Sequence, residues 1–172
     1  MAGSLIKIDE EIVTSAVASV TLTGIDSTYD VYMVRLNNVG VDTDNMDIYV
    51  RYTVSGTAQT GSYARANKRL DTNAFTNDNS TSANQAIIFE ALGTDGTIDE
   101  TGNAILYLFN FNNASEYSFC TLEAVNQTVT RLKGFQGGFT RTNAEANDGL
   151  YFFVESSNNI ASGTFTLYGL KK

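Results

Sequence analysis

The chain has 172 residues, a length that suits a single domain with its own core. Its 19 acidic and 11 basic residues give a formal net charge of -8, which repels phosphate backbones and anionic lipid headgroups and argues against nucleic acid or membrane surfaces as partners. Histidine is absent and Cys120 is the only cysteine, which removes His-activated nucleophiles, His-anchored zinc and an intramolecular disulfide.

The first residues, Met1 to Val17, carry no basic region followed by an unbroken apolar run, because Asp9, Glu10 and Glu11 interrupt it. No signal peptide is read there, and a lone cysteine suits folding in a reducing cytoplasm. Nowhere does an apolar stretch approach the roughly 18 residues of a membrane span. Short runs rich in β-branched and aromatic residues then recur between turn signals, the pattern of an all-β chain with little helix. They place strands at Ser4–Ile8, Ser19–Thr23, Asp30–Leu36, Asp47–Val54 and Tyr63–Leu70. Further strands follow at Ala86–Leu92, Ala104–Phe111, Tyr117–Glu123, Thr128–Phe135, Leu150–Ser156 and Gly163–Leu170. So many strands in one chain favour an antiparallel two-sheet β-sandwich, because a single sheet would leave one apolar face uncovered. Neither a repeat nor a linker divides residues 1–172, so one domain is expected.

Three strands are apolar at both parities: Val31–Val34, Ile105–Phe109 and Tyr151–Val154. One face of each belongs to the core, and the other needs cover from a loop or a neighbouring subunit. Tyr63–Leu70, with Arg65, Lys68 and Arg69, reads as an edge strand or an exposed arm blunted by its cations, and it is the chain's one basic cluster. Asp71–Gln85 is polar without helical or strand periodicity and reads as a long surface loop. Turn signals stand at Asn37-Asn38, Asp95-Gly96, Thr101-Gly102, Gly137-Gly138 and Asp148-Gly149.

Candidate chemistry is sparse. Cys120 alternates with apolar neighbours and reads as a buried structural thiol. The glutamates Glu90, Glu116, Glu123, Glu145 and Glu155 form no same-face pair within a predicted strand, which disfavours a glycoside hydrolase. Asp42, Asp44 and Asp47 alternate along one loop and are candidate calcium ligands, although the loop lacks the glycine and distal glutamate of a helix-loop-helix site. A plain hairpin with acidic turn residues is favoured over bound calcium, and no other cofactor is expected. For contacts to a partner or ligand the candidates are Phe75, Asn77 and Asn79 in the polar interval, with Arg65, Lys68 and Arg69 beside it. Exposed aromatic rings together with Asn side chains are also how all-β modules hold glycans.

Gly149–Lys172 reads as two strands joined by a polar turn, the second in need of partners to stay ordered. Within it, Ser162-Gly163-Thr164-Phe165-Thr166-Leu167-Tyr168-Gly169 resembles the "SGT-x-x-LYG" closing strand of small structural proteins of tailed-bacteriophage virions. Gly24-Ile25-Asp26-Ser27-Thr28-Tyr29-Asp30-Val31-Tyr32 is similar to the "G-I-D-x-x-Y-D-x-Y" phrase of the same group, whereas Thr57–Gly102 matches no phrase of it. The resemblance implies a jelly-roll sandwich and a non-enzymatic role in the virion after synthesis in the host cytoplasm. A capsid decoration or knob protein is the first expectation, and a host-recognition module of a tail fibre or spike the second. Implied partners are a major capsid protein or tail component and further copies of the chain, with a trimer expected. In the closing strand, Phe165, Leu167 and Leu170 are expected to share the inner face, and Gly169 to permit a bulge or a close approach to the first strand.

Overall fold

A computed structural model describes residues 4–94 and 100–171. Its strands in chain order are β1 (Ser4–Val13), β2 (Ser19–Thr23), β3 (Val31–Val41), β4 (Met46–Val54), β5 (Thr57–Ala58), β6 (Tyr63–Asp71) and β7 (Ala74–Ala83). There follow β8 (Ala86–Leu92), β9 (Gly102–Phe109), β10 (Phe119–Gln127), β11 (Leu132–Arg141), β12 (Gly149–Val154) and β13 (Ile160–Lys171). Glu155–Ser157 forms the one helical turn among the described residues, of 3-10 type.

All strand pairs are antiparallel, in two sheets. The larger runs β1-β13-β3-β9-β10-β11-β6-β7; in the smaller, β2-β12-β4 is completed by β5 and β8, which share the other edge of β4. With β5 to β7 and β10 to β11 set aside, successive strands alternate between sheets except at β4 and β8, which pair with each other: the two sheets run β1-β13-β3-β9 and β2-β12-β4-β8. That alternation is the wrapping of a jelly roll. The set-aside strands β10, β11, β6 and β7 extend one sheet only, and the smaller sheet does not match its length.

The alternation of strand side chains builds the core between the sheets. Val34, Leu36, Leu106, Leu108, Leu122, Phe135, Phe165 and Leu167 point inward from the larger sheet, against Leu22, Ile48, Val50, Tyr52, Phe89, Leu150 and Phe152 from the smaller. Phe152 meets Phe165 across the gap with ring centroids 5.3 Å apart. At one end Tyr52 packs among Tyr63, Phe111 and Phe139, at 5.5, 4.5 and 5.8 Å.

The closing strand is paired on both sides, to β1 and to β3. Its inner residues are Phe165, Leu167 and Gly169; Leu170 has the opposite parity and is half-buried on the outer side. Gly169 sits in regular register with Ile6 and Tyr32, and the Tyr29 ring occupies the space a side chain would take. The irregularities in its pairing with β3 lie between Ile160 and Thr164, and the bulge in its pairing with β1 falls on β1 between Lys7 and Asp9, opposite Tyr168 and Leu167.

Other expectations change for identifiable reasons. The interval 71–85 is not a loop: Ala74–Ala83 is strand β7, hairpinned onto β6 through a turn in which the Asp71 carboxylate accepts the Asn73 N–H at 2.9 Å. Tyr63–Leu70 is therefore an interior strand between β11 and β7, and β7 is the edge. Asn37-Asn38 lies within β3, where a bulge between Leu36 and Val39 puts Asn38 at φ 50°. Gly137-Gly138 lies within β11, and the turn comes at Thr128–Arg131, closed by the Thr128 N–H to the Arg131 carbonyl at 2.8 Å. The Asp95-Gly96 signal falls outside the described residues.

Candidate interaction surface

Two of the three doubly apolar runs, Tyr151–Val154 and Ile105–Phe109, end up in different situations. In β12 the outward Tyr151 and Phe153 cover one another with help from β4: Phe153 lies 5.5 Å from Tyr151 and 5.9 Å from Tyr49, and the Arg51 guanidinium stacks 4.5 Å over the Phe153 ring. The smaller sheet thus shields its own outer face. The outer face of the larger sheet has no such cover. Ile105 and Tyr107 on β9 are 40% and 39% exposed, and Phe119 and Val125 on β10 are 46% and 44% exposed. Both strands alternate cleanly, with Leu106, Leu108, Leu122 and Ala124 buried at the intervening positions.

Strand registers place these side chains in cross-strand rows. One row reads Glu10, Thr166, Arg35, Ile105, Glu123, Gln136, Lys68, Asn77, from β1 to β7 without a break. A second reads Lys7, Tyr168, Met33, Tyr107, Thr121, Gly138, Ala66, Asn79. Bulky residues gather on the β13-β3-β9 side of that row and small ones on the β10-β11-β6 side. Where the side chains are small the face sinks into a shallow hollow of about 650 Å³ bordered by Ala64, Ala66, Phe119, Thr121, Gly138 and Thr140. A second hollow of about 510 Å³ lies beside Arg35, Ile105, Glu123 and Val125.

The charges on this face are few and loosely held. Arg35 lies 5.9 Å from the centre of the Tyr168 ring. Glu123 accepts a long hydrogen bond from Gln136 at 3.4 Å, and Lys68 donates to the Asn77 side chain at 3.0 Å. Glu10 accepts from Lys7 at 2.9 Å and from the Thr166 hydroxyl at 3.2 Å. The Lys7 hydrogen bond holds its carboxyl below the ordinary glutamate value.

The six residues picked out from sequence as contact candidates separate between the two faces. Phe75, Asn77, Asn79 and Lys68 lie on the outer face, with Phe75 71% exposed. Arg65 and Arg69 point to the inner side. There Arg65 pairs with the buried Asp78 at 2.9 Å, and Arg69 pairs with Glu90 at 3.1 Å and stacks over Phe135. Arg65 thereby ties β6 to β7 within the extension, and Arg69 ties the extension to β8 of the smaller sheet. The three aspartates do not act as a unit. Asp42 accepts the Asn159 N–H and amide at 3.0 and 2.6 Å, Asp44 the Thr94 N–H at 3.2 Å, and Asp47 the Ala91 N–H at 3.0 Å and the Tyr49 hydroxyl at 3.2 Å. Asp42 is engaged with Asn159, and Asp44 and Asp47 with separate N–H groups at the end of β8, and no group of three or more His, Cys, Asp or Glu among the described residues is arranged to hold a metal ion. Cys120 is buried, and burial pushes its thiol well above the usual value, away from thiolate reactivity.

Arg35 and Phe119 are not singled out by the sequence, Glu123 enters there only as a glutamate weighed for hydrolysis, and Ile105 and Tyr107 only within a run whose second face needs cover. The double apolarity of Ile105–Phe109 was the available signal; the rows become readable only once the register between distant strands is known. No helix among the described residues is long and apolar enough to cross a membrane. No family model and no curated protein matches the sequence.

Proposed function

We propose that this protein is a non-enzymatic structural component of a tailed-bacteriophage particle, a capsid decoration or knob protein, that works by docking through the outer face of its larger sheet. The observation that carries the reading is the exposed apolar set Ile105, Tyr107, Phe119 and Val125 on a face whose counterpart on the smaller sheet is covered. Apolar side chains clustered on one face, with charges dispersed among them, are the composition of a docking surface. The phrases at 24–32 and 162–169 support the assignment to a virion. A chain without histidine, whose buried Asp78 is engaged in an ion pair with Arg65, supports an assembly role over catalysis.

Purified protein added to particles that lack it should co-sediment with them, and the chain should be found by mass spectrometry in intact particles. The double variant Ile105→Asp/Phe119→Asp should lose co-sedimentation by at least about tenfold in affinity while keeping its fold, since both side chains already face water. Unchanged binding by that variant, or no binding by the native protein, would overturn the reading.

One observation favours a second reading, a host-recognition module. Phe75, Asn77 and Asn79 project together from the outer side of the edge strand β7, an aromatic ring beside amides as a sugar requires. Glycan or whole-cell binding abolished by Phe75→Ala, with particle binding unaffected, would support this alternative.

A further inference from the structure

We infer that the occupant of the larger sheet's outer face is a second copy of the same chain, paired about a two-fold axis that runs along β9. The inference rests on the docking role proposed for this face and names a second copy as what covers it; the dimer is then the form that joins the particle, so the lost co-sedimentation of Ile105→Asp/Phe119→Asp follows from the lost dimer. Its basis is the order of charges along one row. Centred on Ile105, the row reads Glu10, Thr166, Arg35 on one side and Glu123, Gln136, Lys68 on the other. Stepping outward, each position on one side has its complement on the other: Arg35 against Glu123, Thr166 against Gln136, and Glu10 against Lys68. The row is antisymmetric in charge about its apolar centre.

Two sheets stacked face to face by a two-fold axis have that axis in the plane between them, since the rotation must exchange the two sides. Two directions can then be compared. An axis along the row sets Arg35 over Arg35 and Glu123 over Glu123 of the copy, which is repulsive at both places. An axis along the strand, through Ile105, sets Arg35 over Glu123, Glu123 over Arg35, and Ile105 over Ile105. Strands spaced about 4.8 Å apart put Arg35 and Glu123 at equal distances on either side of that axis. It also leaves the strands of the two copies close to aligned, the ordinary arrangement of stacked sheets.

Shape follows the same rule. In the neighbouring row, Tyr168 lies two strands to one side of β9 and Gly138 two strands to the other. The strand-directed axis sets the Tyr168 ring over Gly138 of the copy, in the hollow bordered by Ala64, Ala66 and Thr140. Met33 falls over Thr121 and Tyr107 over its own counterpart. Bulk meets space on both sides, and a single geometry satisfies charge and volume. Sheet twist makes the strands diverge away from the axis, so the Arg35–Glu123 contacts nearest the centre dominate and the Glu10–Lys68 pair acts at longer range. The contact is isologous and closes on itself as a dimer, in place of the trimer expected from the sequence.

Charge exchange tests this. Sedimentation of the native protein over a wide concentration range should show a monomer–dimer equilibrium. Arg35→Glu alone and Glu123→Arg alone should each weaken association by about a hundredfold, because each turns two attractive contacts of the dimer into two repulsive ones. The double variant Arg35→Glu/Glu123→Arg reverses the row without destroying its antisymmetry and should regain the dimer. Thermal unfolding of all four proteins checks that the fold is retained. A native protein that stays monomeric, single variants that dimerise as before, or a folded double variant that stays monomeric would each overturn the pairing. Co-sedimentation with particles reads the broader docking role separately, so a monomer that still binds particles would refute the dimer and leave that role standing.

Discussion

Tyr63 joins the two sheets through one hydroxyl. Its oxygen accepts the N–H of Tyr52 in β4 at 2.7 Å and donates to the Gln59 carbonyl at 3.1 Å, inside an aromatic cluster where both rings are fully buried. Tyr63→Phe leaves the Tyr52 N–H without a partner in a dry environment, at a cost of about 1–3 kcal/mol in denaturant unfolding near neutral pH. Burial pushes the Tyr63 phenol up to about 12, against about 10 in an unfolded chain. The native state therefore holds the phenolic proton more tightly, and the resulting stability is complete below about pH 10 and lost as pH climbs through about 12. The alkaline fall in stability should be shallower in Tyr63→Phe, with the remainder owed to Tyr32, Tyr49 and Tyr52, whose phenols burial also raises. Superimposable pH curves for the two proteins would show that another group titrates. Sequence placed Tyr63 correctly at the start of a strand but gave no sign of this role, because the hydroxyl's partners come from β4 and the segment after it, reached only when the sheets pack.

β13 shows how far an element can be read before the fold is known. Its alternation put Phe165 and Leu167 inside, and both are fully buried between β1 and β3. Leu167→Ala should cost about 2–5 kcal/mol through lost transfer energy and a cavity. Leu167→Asp should give no cooperative unfolding transition, since an unpaired carboxylate would face only the core; a soluble variant with the native thermal midpoint would place the strand elsewhere. β7 was illegible for the opposite reason. It lies in the part of the larger sheet that β10, β11 and β6 carry outward, so most of its side chains are exposed on both faces and no apolar period marks it. What fixes it is backbone pairing to β6 and the Arg65–Asp78 ion pair, and Arg65 and Asp78 are separated by a turn whose position sequence did not reveal. The end of β11 was misplaced at Phe135 because Gly137 and Gly138 were taken as turn formers. Gly134 and Gly138 instead allow close approach of the β10 backbone, whose Ala124 and Cys120 carbonyls occupy the space a Cβ would need.

At the scale of the whole molecule, the jelly roll and its extension should differ in stability. β13, β3 and β9 are flanked on both sides and bury Val34, Leu36, Leu106, Leu108, Phe165 and Leu167 against the smaller sheet. Opening any of them exposes the shared core, so their central amides should exchange with solvent only when the molecule unfolds globally. β7 has a neighbour on one side only, and Asp78 is its one buried side chain. Separating it from β6 breaks a ladder and the Arg65–Asp78 pair but uncovers almost no apolar surface, so its amides should exchange through local opening at a much lower free energy. Native-state hydrogen exchange should therefore rank β7 least protected among the longer strands and β13 most protected, with added denaturant changing exchange strongly in β13 and little in β7. Equal protection of the two would mean that the extension unfolds with the core. The expected gradient bears on the docking face as well: β9 and β10, which carry Ile105, Tyr107, Phe119 and Glu123, lie at the protected centre of the sheet, so the surface offered to a partner is held rigid before contact and association has little ordering cost to overcome.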